Sequence, residues 1–185
     1  MSFEIDKKNV LGRMDKSKKG ELDNGIKEIC SLINANPNYY TTSSCSGRII
    51  LIEKPSDKKD EAKWLFTTHE KTDLESVKQN LNSKTNVWFK QEGAILHVCC
   101  KTISDADRFV NLARNSGFKR TGIISAGETP VVEIISSEQM STPVIADGKI
   151  ITSDDYLKVL ISEANHKMQI NIEKLRKLED KLRNL

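Results

Sequence analysis

The stretch NVWFKQEGAILHVCC, from Asn86 to Cys100, decides how the chain reads. NVWFK (Asn86 to Lys90) and AILHVCC (Ala94 to Cys100) are short and rich in β-branched and aromatic residues. A turn with Gly93 separates them, the pattern of a β-hairpin. Similar pairs stand on both sides. Upstream, RIILIE (Arg48 to Glu53) is an apolar buried strand, EKPSDKKDEAK a solvated loop, and KWLFTTH (Lys63 to His69) the returning strand. Downstream, RTGIIS (Arg120 to Ser125) and VVEIIS (Val131 to Ser136) flank GETP.

Helical segments separate the hairpins. Thr72 and Glu75 form a capping box ahead of Leu74, Val77 and Leu81, a stripe that ends near Asn82. Ser104 and Asp107 open a helix carrying Ala106, Phe109, Val110 and Ala113, and Gly117 closes it by taking positive φ. The order strand–strand–helix, strand–strand–helix, strand–strand predicts an α/β fold of the α+β type. Its sheet of hairpins is mixed or largely antiparallel, with helices alongside. Strict strand–helix alternation is missing, which argues against a doubly wound nucleotide fold.

Glu4 to Arg13 reads as a short helix. DKSKKGELD (Asp15 to Asp23) interrupts it, and Asp23 is placed to cap a second helix with Ile26, Ile29, Cys30 and Ile33 on one face. NANPN (Asn34 to Asn38) ends that helix. Near the C-terminus ADGK (Ala146 to Lys149) is a hairpin-type turn. Thr152 with Asp155, or Ser153, caps a long helix over 153–184. Leu157, Ile161, Ala164, Met168, Asn171, Leu175, Leu178, Leu182 and Leu185 step along it by fours and threes. This seam favours a helix lying on its own domain, and a dimerising coiled coil is the other use. The whole chain, 1–185, is expected to be one domain.

With 185 residues the chain can bury a core without disulfides. Its 29 basic and 26 acidic residues leave a net charge of +3, so contact with nucleic acid must come from local patches. No apolar run approaches a bilayer span and the N-terminus has no signal-peptide core, which predicts a cytoplasmic protein with no membrane partner. Cys30, Cys45, Cys99 and Cys100 show no zinc-type spacing and read as free thiols. Cys99 and Cys100 are expected on opposite faces of their strand.

The chemistry concentrates in YYTTSSCSGR, Tyr39 to Arg48. Thr41, Thr42, Ser43, Ser44 and Ser46 offer hydroxyls, Gly47 relieves the turn, and Arg48 can clamp a carboxylate or phosphate. The same composition serves equally well a loop whose hydroxyls satisfy its own backbone. Cys45 as a nucleophile has no base placed beside it by spacing, and an inert thiol is the favoured reading. His97 is mid-strand and His69 ends one. Lys16, Lys18, Lys19, Lys58 and Lys59 can follow an RNA backbone or merely solvate a surface. Trp64 and Trp88, both in strands, read as core. No GxGxxG, P-loop, HExxH or GxSxG motif occurs.

At YYTTSSCSGRI the chain resembles the tRNA wybutosine-synthesizing protein 3 family in its archaeal-type form. Asp15, Ser17, Lys19, Gly20 and Asp23 match the N-terminal motif, and Thr41 to Arg48 the central one. Trp64, Leu65 and His69 match in WLFTTH. Lys90, Glu92, Leu96, His97, Val98 and Cys100 match in KQEGAILHVCC. Gly117, Phe118, Gly122 and Ile123 match in GFKRTGI, and Ala164, Asn165, Lys167, Met168 and Asn171 in the tail. Departures are small: Ser136-Ser137 where Ser-Thr is frequent, and Thr121 for a frequent serine.

The resemblance implies a methyltransferase outside the Rossmann fold. It would use S-adenosyl-L-methionine to methylate N-4 of the aminocarboxypropyl-bearing tricyclic guanosine beside the anticodon of tRNA(Phe). The expected cofactor-binding residues are Asp15, Ser17, Thr41, Thr42, Ser43, Ser44, Cys45, Ser46 and Arg48. His69 and His97 are the candidate bases, and Lys18, Lys19, Lys90 and Asn165 the candidate substrate contacts. No metal is expected. A non-catalytic tRNA-binding module is the competing reading, and dimerisation through the last helix a third.

Overall fold

The computed structural model describes residues 2–12, 23–56 and 61–185. In chain order the helices are α1 (Phe3–Leu11), α2 (Asn24–Ala35), α3 (Leu74–Lys78), α4 (Ile103–Asn115) and α5 (Asp154–Leu182). The strands are β1 (Tyr39–Cys45), β2 (Arg48–Lys54), β3 (Lys63–Thr68), β4 (Asn86–Glu92), β5 (Ile95–Cys100), β6 (Gly122–Ser125), β7 (Val131–Ile135), β8 (Met140–Ala146) and β9 (Lys149–Ile150). Every ladder among the described residues is antiparallel, as the hairpin pattern predicts. The chain divides into two compact units. The first holds 1–46, 94–137 and 172–185, the second 47–93 and 138–171.

The first unit is built on a four-stranded sheet in the order β1-β5-β7-β6. Alternation along β5 sends Leu96, Val98 and Cys100 to one face, where they meet Ile26, Ile29 and Ile33 of α2 and Phe109 and Ala113 of α4. Leu175, Leu178 and Leu182 from the end of α5 complete this core. Phe109 is fully buried against Tyr39, with ring centroids 5.1 Å apart. Burying such a side chain contributes about 1.5–3 kcal/mol. On the opposite face Phe3 of α1 packs with Tyr40 and Cys99. Cys99 and Cys100 therefore do take opposite faces. After α4, Gly117 adopts φ 105°, and a Cβ there would lie 3.1 Å from Cγ of Lys174.

The second unit carries a five-stranded sheet in the order β3-β2-β4-β8-β9. Ile49, Leu51, Val87, Phe89 and Val144 face a core shared with Val77 of α3 and with Leu157, Ile161, Ala164 and Met168 of α5. At Asp147-Gly148 both residues have positive φ, 49° and 73°, the conformation that reverses a tight hairpin between β8 and β9. Ser153 Oγ accepts from the Tyr156 backbone N–H at 3.2 Å and starts α5. The apolar seam of α5 from Leu157 to Leu182, with Asn171, is buried within the chain itself, as the favoured reading holds; Leu185 is exposed.

Several expectations need correction. Asn86 to Cys100 is not a hairpin: β4 pairs with β2 and β8, and β5 with β1 and β7. Gly93 stands where the chain leaves one sheet for the other. The hydroxyl-rich stretch is not a loop but strand β1, whose backbone is satisfied by β5. Strand β8 went unread because Pro143 interrupts its pattern; it runs beside β4 and meets only the two residues of β9 on its other side. Asp73, not Thr72, caps α3 by accepting from Ser76 N–H, and the helix stops at Lys78. Thr102, not Ser104, caps α4 by accepting from Asp105 N–H. Asp23 stands at the start of α2 without capping it; its carboxylate accepts from the Ser46 N–H at 3.1 Å.

Candidate active site

In the first unit, pairing with β5 sorts the β1 hydroxyls into two groups. Thr41, Ser44 and Ser46 serve the structure. The Thr41 N–H donates to Asn34 Oδ1 at 2.8 Å, and Asn34 Nδ2 donates to its hydroxyl at 3.0 Å. Ser44 lies beside the Cys30 thiol, and Ser46 is held by Asp23. Thr42 and Ser43 are exposed, and their hydroxyls bond no described residue. An irregularity between Thr41 and Ser43 aligns Ser43 with His97, which in turn opposes Glu133 on β7. Directly opposed residues share a face, so a hydroxyl, an imidazole and a carboxylate form one row across three neighbouring strands.

His97 Nε2 lies 3.0 Å from Glu133 Oε1. A carboxylate only accepts, so Nε2 carries the proton and Nδ1 of the neutral ring carries the lone pair. Nδ1 bonds no described residue. Both side chains keep over a quarter of their surface exposed, 28% and 30%. The arrangement is an oriented proton acceptor open to a substrate. Glu133 escaped the sequence reading, although a lone carboxylate between valines and isoleucines in VVEII was a usable signal.

In the second unit, Arg48 donates from Nε to Glu92 at 2.8 Å, and its guanidinium carbon lies 4.2 Å from the centroid of Trp64. Its two terminal nitrogens bond no described residue and still present a fork suited to a carboxylate. Glu92 and Trp64 orient that fork. His69 Nδ1 is 2.7 Å from the Gly47 carbonyl, which fixes the proton on Nδ1 and the lone pair on Nε2. Lys90 stands on β4 with no described partner for its ammonium. Asn165 clamps the backbone of Thr72, accepting from its N–H at 3.0 Å and donating to its carbonyl at 2.8 Å. Trp64 is not core: it is 47% exposed, because an irregularity at Leu51/Ile52 turns it to the face away from the core. Cys45 is half-buried. Asp15, Ser17, Lys18 and Lys19, like Lys16, Lys58 and Lys59, lie outside the described residues.

No helix among the described residues is long and apolar enough to cross a membrane. The family model described as methyltransferase TYW3 matches residues 5–184, nearly the full chain. The chain belongs to this family. A relative from Thermococcus sibiricus is 39% identical over 189 residues, covering 100% of this chain and 96% of its own. It bears the name tRNA(Phe) 7-((3-amino-3-carboxypropyl)-4-demethylwyosine(37)-N(4))-methyltransferase. A relative from Danio rerio, named tRNA wybutosine-synthesizing protein 3 homolog, is 35% identical and covers 97% of this chain and 74% of its own. A solved structure from Pyrococcus horikoshii matches with a TM-score of 0.91 at 38% identity, covering 98% of this chain and 96% of that one. The family resemblance drawn from the motifs is thus borne out along the chain, and so is a non-Rossmann fold of antiparallel sheets with a long last helix.

Proposed function

We propose that this chain is a cytoplasmic tRNA modification enzyme. It methylates N-4 of the aminocarboxypropyl-bearing demethylwyosine beside the anticodon of tRNA(Phe), with S-adenosyl-L-methionine as donor. Membership of the family over residues 5–184 carries the reading. The side chains fit the donor's chemistry. The terminal nitrogens of Arg48 suit its carboxylate. The substrate nucleoside carries a carboxylate of its own, and Arg48 suits it equally.

When bound, the donor supplies a methyl carbon on a positively charged sulfur. The chain's task is to align the ring nitrogen with that carbon and to take the proton which the nitrogen gives up. His97, with its lone pair on Nδ1 and Nε2–H held by Glu133, accepts that proton. His69 is held by Gly47 in the opposite tautomer.

Incubation with the donor and tRNA(Phe) bearing the demethylated nucleoside, followed by nucleoside mass spectrometry, tests the reading. One methyl is gained at N-4 if it holds; an unchanged nucleoside refutes it. His97→Gln is expected to lower kcat about 10²–10⁴-fold, the usual contribution of a positioned base, at unchanged donor affinity. Full turnover by this variant removes His97 from the mechanism.

A further inference from the structure

The face of the second unit's sheet opposite its core combines an exposed indole, Trp64, and a half-buried one, Trp88, with cations, and of these only Arg48 has been given a ligand above. Trp64 on β3 opposes Ile52 on β2, Ile52 opposes Trp88 on β4, and Trp88 opposes Pro143 on β8. These residues form one row. Neighbouring strands are about 4.8 Å apart, which sets the two indoles about 10 Å apart on the same face. Alternation along β2 and β4 brings Arg48, Lys54 and Lys90 to this face as well. Arg48 lies over one ring and is neutralised by Glu92. Lys54 and Lys90 have no ion-pair partner among the described residues, which leaves the face positive.

We infer that this face is where the single-stranded part of the tRNA docks. Bases stack on Trp64 and Trp88, and phosphates lie against Lys54 and Lys90. Indoles supply stacking that tolerates any base, and lysines at the same face supply the charge that a ribose-phosphate chain requires. An apolar protein partner would leave both lysines buried without a counter-charge. The inference rests on the reading that the chain acts on tRNA, and it adds the surface that receives the loop.

Trp64 and Trp88 are the only two tryptophans in the chain, so indole emission reports on this face alone. The probe is an unmodified RNA hairpin with the anticodon loop of tRNA(Phe), titrated into the full-length protein. Saturable quenching of the emission is expected. Trp64→Ala, half exposed and therefore safe for folding, and Trp88→Leu are each expected to weaken binding about 10-fold. The double variant Lys54→Gln with Lys90→Gln is expected to flatten the dependence of log affinity on log salt by about 1.4. Hairpin binding with unchanged emission and wild-type affinity in all three variants overturns the inference. Equal binding of a loopless RNA duplex also does so. If the variants lose hairpin affinity while the wild type never methylates, the surface stands and the proposed reaction falls. Methylation with hairpin affinity untouched by the variants gives the reverse.

Discussion

Gln91 is fully buried on β4, opposite Ile49 of β2 and Met140 of β8. Its Nε2 reaches only the sulfur of Met168, at 3.7 Å, and its Oε1 has no hydrogen-bond partner. Turning the amide end for end leaves the nitrogen unpaired instead. A thioether is a weak acceptor, whereas an unsatisfied buried carbonyl costs about 1–3 kcal/mol. Gln91→Met removes both amide atoms and keeps the side chain's length and approximate volume, so the repacking cost stays below about 1.5 kcal/mol. The variant is expected to be more stable by about 1–2 kcal/mol. For a chain of this size that raises the thermal midpoint by about 2–8 °C. Urea denaturation with an unchanged m-value, followed by circular dichroism, measures it. A loss of more than about 1 kcal/mol would mean that Oε1 is well satisfied in solution, and the argument would be wrong.

Two further outcomes follow from the packing and the thiols. Gly117→Ala must hold a side chain at φ 105° and press its Cβ against Lys174, so a loss of about 1–3 kcal/mol is expected in the same denaturation assay. If Gly117→Ala melts like the wild type, positive φ is not required there. Burial pushes the Cys100 thiol up to about 12 from its usual 9.0. The folded chain then keeps a proton that the unfolded chain releases above pH 9, so stability falls as pH rises from 9 toward 12. Cys100→Ala is expected to make this alkaline decline shallower by about 1.4 kcal/mol per pH unit. Identical slopes in the two proteins would contradict the burial argument.

Elements with strong periodicity were legible in the sequence. The stripes of α2, α4 and α5, the β2–β3 and β6–β7 hairpins and the Asp147-Gly148 turn follow from local spacing. Pairing between distant strands was not. Adjacency in sequence suggested that β4 and β5 pair, but each finds better-matched neighbours elsewhere, and no local signal marks Gly93 as a change of sheet. β1 was hidden because Thr, Ser and Cys side chains look like a loop while their backbones can still form a ladder. The site was legible as residue types only. Thr42, Ser43, His97 and Arg48 stand open in the structure, while Thr41, Ser44, Ser46 and Asn165 are engaged in holding the backbone and its neighbours. Glu133 and Glu92 matter through register, which a single sequence does not reveal.

The interleaving of the two units along the chain has a consequence for synthesis on the ribosome. All the residues of the second unit are available once Asn171 has emerged, whereas the first unit waits for its closing segment, 172–185. Leu175, Leu178 and Leu182 seal a core whose other walls were made as early as Ile26. A nascent chain stalled before these leucines would carry an uncovered apolar wall, the state in which a chaperone is most needed. Truncation ahead of Leu175 would therefore damage a unit whose other segments lie far upstream.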